Sequence, residues 1–75
     1  MELEKMRAEA LDLAITISRA NGGQVLFNIK QAARIAGRHR EGFAAWLHKH
    51  GVLVEKSGKS KYVNVNDLAR AMLCY

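Results

Sequence analysis

The sequence predicts a single, mainly α-helical domain with a small β-hairpin, in the order helix, short strand, helix, helix, two-stranded hairpin, helix. Three observations predict it. Apolar residues recur every three or four positions from Leu3 to Ile17, the period of an amphipathic helix. Glycines stand at the ends of the periodic segments, at Gly22-Gly23, Gly37, Gly51 and Gly58. The run Lys61-Tyr62-Val63-Asn64-Val65 alternates in character after Ser57-Gly58, as a returning strand does.

The first helix carries Leu3, Met6, Ala10, Leu13 and Ile17 on one stripe. Leu11, Ala14 and Ile15 widen it, so the helix is expected to be well covered by the rest of the domain. Asn21-Gly22-Gly23 ends it, because Asn and Gly tolerate the left-handed backbone that closes a helix. Val25-Leu26-Phe27 is apolar and β-prone but too short for a helix. Asn28 caps the next helix, with Gln31 at capping-box spacing. Ala32, Ala33, Ile35 and Ala36 make that helix short and narrow, and Gly37 breaks it. A third helix is expected to resume at about Arg38–Arg40 and run to His50, hiding Phe43, Trp46, Leu47 and His50 and stopping at Gly51. Val52-Leu53-Val54 reads as a strand, and residues 55–60 as a turn centred on Ser57-Gly58. Asn64 caps a last helix, with Asp67 again at capping-box spacing and Leu68, Ala69, Met72 and Leu73 facing inward.

A chain of 75 residues is one domain, residues 1–75. A domain of that size buries roughly 60% of its unfolded surface and has a thin stability margin. Twelve Lys and Arg against seven Asp and Glu give a net charge of +5. The charge is unevenly spread. Residues 1–20 hold four acids and three bases, a balance of −1, and the remainder holds nine bases and three acids, a balance of +6. A neutral end and a basic remainder point to a polyanionic partner.

Two closely spaced helices bracketed by a short strand and a hairpin form the order of a winged helix-turn-helix. In that arrangement one helix braces while the next enters the DNA major groove. Ala32, Ala33 and Ala36 would let the two helices cross closely. With Phe43, Trp46 and Leu47 hidden, the front of the recognition helix, residues 38–50, shows Arg38, His39, Arg40, Glu41, Ala44, Ala45, His48 and Lys49. Arg38, His39, Arg40 and Ala44 are the expected base-contacting residues: arginine bonds bidentately to guanine, and a short alanine allows close approach and contact with a thymine methyl. Lys30, His48 and Lys49 are expected on phosphates. So are Lys56, Ser57, Lys59, Ser60 and Lys61 of the wing, residues 55–61, which forms a compact cationic loop.

The run Gln31-Ala32-Ala33-Arg34-Ile35-Ala36-Gly37, then Trp46-Leu47, Gly51-Val52-Leu53 and finally Asp67-Leu68-Ala69 resembles the winged helix-turn-helix of excisionase- and MerR-like regulators. Phe43, Leu47 and Gly51-Val52-Leu53 are equally similar to the carboxy-terminal domain of phage antirepressors. The resemblance spans residues 28–73. Arg38-His39 stands where that group commonly has Val-Ser, and the long first helix lies outside its minimal pattern. The resemblance implies sequence-specific binding of double-stranded DNA in transcription, recombination or phage maintenance.

Other chemistries find no pattern. His39, His48, His50 and Cys74 match no zinc-finger or ribbon spacing, so no metal and no cofactor is expected. There is no phosphate-binding glycine loop ahead of a helix, no carboxylate pair and no Ser-His-Asp set, so an enzyme is not expected. The lone Cys74 cannot form an internal disulfide, no apolar run reaches the ~18 residues of a membrane span, and the amino terminus lacks a signal-peptide pattern. A cytoplasmic protein is therefore expected, nucleoid-associated if bacterial. The main alternative is a winged-helix docking or dimerisation module that binds protein through the first helix. RNA binding is less well supported, because most of the five aromatic residues are expected in the core.

Overall fold

The computed structural model describes the backbone of residues 2–73 and the side chains of residues 7–73. Leu3 and Met6 of the expected stripe, and Cys74, thus lie outside the described side chains. The elements are α1 (Glu2–Ala20), β1 (Leu26–Asn28), α2 (Ile29–Ile35), α3 (Phe43–Lys49), β2 (Val54–Ser57), β3 (Ser60–Asn64) and α4 (Val65–Met72). The three strands form one antiparallel sheet in the order β1-β3-β2. The returning strand of the hairpin is therefore central, with Phe27 opposite Val63 on one side and Val54 opposite Val63 on the other. The short strand before α2, which the sequence leaves separate from the hairpin, is the third strand of its sheet.

Local signals in the sequence place the helix ends. Asn28 Oδ1 accepts from the Gln31 N–H at 2.8 Å, and Gln31 Oε1 accepts from the Asn28 N–H at 3.2 Å, so the expected capping box is present and satisfies two orphan donors at once. Both α2 and α3 end on paired bonds that bridge a left-handed glycine. After α2, Arg38 N–H donates to Ala33 O at 2.9 Å and Gly37 N–H to Arg34 O at 3.1 Å. After α3, Val52 N–H donates to Leu47 O at 2.9 Å and Gly51 N–H to His48 O at 3.1 Å. The motif needs a residue at positive φ, and Gly37 (+67°) and Gly51 (+65°) supply it without a Cβ penalty. Val52 and Leu47 are both buried, which adds the apolar contact that accompanies this ending.

One core joins all the layers. Phe27, Phe43, Leu47, Val63 and Leu68 are its fully buried large side chains, and Ala14 and Ile17 of α1 and Val65, Ala69 and Ala71 of α4 extend it. α1 packs along α4, and α2 rests on β1 and β3. Truncating a buried phenylalanine such as Phe43 to alanine costs about 3–5 kcal/mol, comparable with the whole stability of many small domains.

Six expectations are corrected. First, α3 begins at Phe43 and not at residues 38–40, because Gly42, in the left-handed region at φ +78°, stands at its N-cap position and interrupts any helix through it. Second, α2 and α3 are consequently joined by residues 36–42 and not by a single turn. Third, strand pairing starts at Val54 and continues to Ser57 opposite Ser60, which leaves only Gly58-Lys59 as the turn, with glycine in its first central position. Fourth, Asn64 Oδ1 caps α4 by accepting from the Asn66 N–H at 2.9 Å, and Asp67 lies 3.9 Å from Arg70 instead of closing a box. Fifth, Leu11 and Ile15 are 56% and 41% exposed, because α1 turns only its Leu13, Ala14 and Ile17 side to the core. Sixth, Trp46, expected in the core, is only partly buried at its edge.

Candidate nucleic-acid interface

Alternation along the hairpin decides where its lysines point. Val63 is fully buried. Lys61, two residues earlier, shares its face of the sheet, and the cross-strand partner of Lys61 is Lys56. Both lysines are exposed because they extend beyond the core toward the hairpin tip. They therefore overhang the face of the sheet that buries Val63. Ala44, Leu47 and His48 of α3 and Lys56 and Lys61 of the hairpin line one open groove. Ile29, Val52, Leu53 and Val54 form its apolar remainder. Like charges directly opposite each other on a strand pair are unfavourable, so the Lys56–Lys61 pair is a place where an anion would relieve repulsion.

The outward face of α3 is as expected from the sequence: Ala44, Ala45, His48 and Lys49 are exposed. The two alanines leave the middle of this face low, and Lys49 and His48 sit in its last turn. Lys59 occupies the hairpin tip, and Ser57 and Ser60 pair beside it on the sheet face opposite Lys56 and Lys61. Lys30 is exposed in the first turn of α2.

Arg38, His39 and Arg40 are exposed, but they stand on the segment before α3 and not on the helix itself. Arg38 lies over the Trp46 ring, its guanidinium carbon 5.0 Å from the ring centre. The ring is stacked on Phe43 at 5.4 Å between centres and tilted against His50 at 4.8 Å. Trp46 Nε1 is enclosed and has no hydrogen-bond partner among the described residues. Residues 36–39 and 41–43 close a shallow cleft around this tryptophan.

The structure thus brings Ala44, His48, Lys56 and Lys61 together in one groove, and leaves Arg38, His39 and Arg40 outside it, on the segment before α3, with Arg38 on Trp46. Sequence reasoning missed Ile29 and Leu53 as groove residues. A signal existed for Leu53: in the adjacent pair Val52-Leu53 an extended backbone turns one side chain in and the other out, and Leu53 is 69% exposed. The sequence carries no comparable signal for Arg38 on Trp46, since the two are eight positions apart across a helix start.

Among the described residues no group of three or more His, Cys, Asp and Glu side chains gathers to hold a metal ion. No described helix is long and apolar enough to cross a membrane. Comparison of the chain with protein-family models, with curated proteins and with solved structures finds no match.

Proposed function

We propose that this chain is a winged helix-turn-helix domain that binds double-stranded DNA, with α3 in the major groove and the β2–β3 hairpin as the wing on the adjoining backbone. The observation that carries this reading is the shared groove, in which the small exposed Ala44 and His48 of α3 face the Lys56–Lys61 pair. A major groove about 12 Å wide admits one helix, and the phosphates at its edge would meet cations set to one side of that helix. The element order and the pairing of β1 into the wing sheet support the same reading. So does the +6 balance of the chain beyond residue 20. Arg40 is the main candidate for base readout, with Ala44 against a thymine methyl. Lys49, Lys56, Lys59 and Lys61 are the phosphate contacts. The resemblance to excisionase- and MerR-like regulators suggests a role in transcription or recombination.

The test is fluorescence anisotropy of a labelled random-sequence duplex at several salt concentrations. Binding whose logarithm falls with log salt by several units supports a phosphate-tracking surface, and selection from a random pool would then find the preferred site. No binding by the folded protein at low salt would refute the proposal. The second reading, a protein-docking module, would then lead. It is favoured by one observation: Leu11, Ile15, Val25 and Leu26, four of the five exposed large apolar side chains among the described residues, lie on α1 and around the start of β1, and exposed apolar patches mark contact surfaces.

A further inference from the structure

Residues 37–42 are all exposed, and glycines at positive φ, Gly37 (+67°) and Gly42 (+78°), bound them. Glycine takes this left-handed backbone without a Cβ penalty. Its backbone is tied by the Arg38 and Gly37 bonds to the end of α2 and by Phe43 N–H donating to Arg40 O at 3.3 Å. Among the described residues, the only polar or ring contact made by a side chain of this segment is that of Arg38 with Trp46, 5.0 Å from the ring centre. Trp46 is a firm anchor. Its ring is stacked on Phe43, 1% exposed, and flanked by His50. Arg40, two residues on, makes no such contact among the described residues and is exposed.

We propose that Arg38 is a positioning residue, which pins the segment before α3 to the Trp46 ring so that Arg40 is presented to DNA, and that Arg38 does not itself contact the nucleic acid. This rests on the DNA-binding reading above and deepens it. It divides two neighbouring arginines, alike in the sequence, into a tether and a reader. The division follows from what each side chain already touches. A guanidinium lying on an aromatic face has a favourable electrostatic contact to give up before it can reach a base, whereas a free one has none.

The experiment uses the full chain with Arg38→Ala, Arg38→Lys, Arg40→Ala and the Arg38→Ala/Arg40→Ala double variant. Trp46 is the sole tryptophan, so the emission of the free protein reports the tether directly. Arg38→Ala is expected to shift that emission and weaken binding to a selected duplex roughly 2- to 5-fold, the equilibrium equivalent of one exposed cation–π contact. The salt slope should stay unchanged. Arg38→Lys, which keeps a cation over the ring, should restore part of both signals. Arg40→Ala should weaken binding roughly 5- to 150-fold if it loses a bidentate base contact. In that background Arg38→Ala should cost nothing further, because a tether with nothing to present has no effect. Losses that instead multiply across the double variant, or a salt slope that falls by about 0.9 with Arg38→Ala, would mean that Arg38 meets the DNA itself and would overturn this proposal alone. Absence of any binding by the unaltered chain would overturn the DNA reading and this one with it.

Discussion

If the proposed DNA-binding reading holds, Lys61→Glu is expected to make the domain more stable and at the same time a weaker DNA binder. Lys61 faces Lys56 directly across the β2–β3 pair. A like-charged pair is unfavourable, and an opposite-charged pair at the same positions contributes roughly 0.2–1 kcal/mol. Both side chains are exposed, so the lower half of that range applies at physiological salt. A gain of 1 kcal/mol raises the unfolding midpoint of a 60–100-residue domain by about 4–8 °C, so the gain expected here is about 1–4 °C. Binding changes in the opposite direction. Loss of one phosphate contact lowers the salt slope by about 0.9, so affinity falls about 3.5-fold less between 50 and 200 mM salt than in the parent. The new carboxylate adds repulsion of its own on the groove wall. Thermal unfolding followed by circular dichroism, and anisotropy on a duplex across that salt range, measure the two effects on one sample. The reasoning fails if Lys61→Glu destabilises the fold, for then Lys56 and Lys61 do not share a face. It fails equally if the salt slope is unmoved, for then the hairpin face does not meet phosphate.

Two further substitutions check the local devices that hold the fold around the candidate groove. Asn28→Ala removes the Oδ1 acceptor of the Gln31 N–H, one of the two bonds of the capping box, and should lower stability by about 0.5–2 kcal/mol, read as a lower urea midpoint with unchanged slope; no change would mean that the cap is redundant with the pairing of β1. Gly51→Ala meets no atom within 4 Å, so its cost is that of a side chain at φ +65° alone, about 1–2 kcal/mol; a loss well above that range would show that the α3–β2 junction tolerates no adjustment of its backbone.

The helix ends and the hairpin were legible in the sequence because short-range chemistry decides them. A cap needs an Asn and a Gln three residues apart, a helix stop needs a residue that accepts positive φ, and a tight turn needs glycine, and each requirement is met within a few positions of where it acts. Exposure of Ala44, Ala45, His48 and Lys49 was legible for the same kind of reason, since helical spacing separates them from Phe43 and Leu47. The start of α3 is not legible in this way, because Gly42 stands among polar residues that a helix accepts and only its left-handed backbone, φ +78°, sets the boundary.

By itself, then, the sequence determined the element order, the helix stops, the basic character of the chain beyond α1 and the residues that α3 shows to solvent. The tertiary structure alone decided that β1 joins the hairpin sheet, that Lys56 and Lys61 turn toward α3 and not away from it, that Arg38 lies on Trp46, and that Leu11 and Ile15 are left uncovered. The physical reason is distance along the chain. Strand register, the face a side chain takes and the cover over an apolar stripe are settled by contacts between residues far apart in sequence. The periodicity of one segment says that it has an inner face but not which neighbour will be there to meet it.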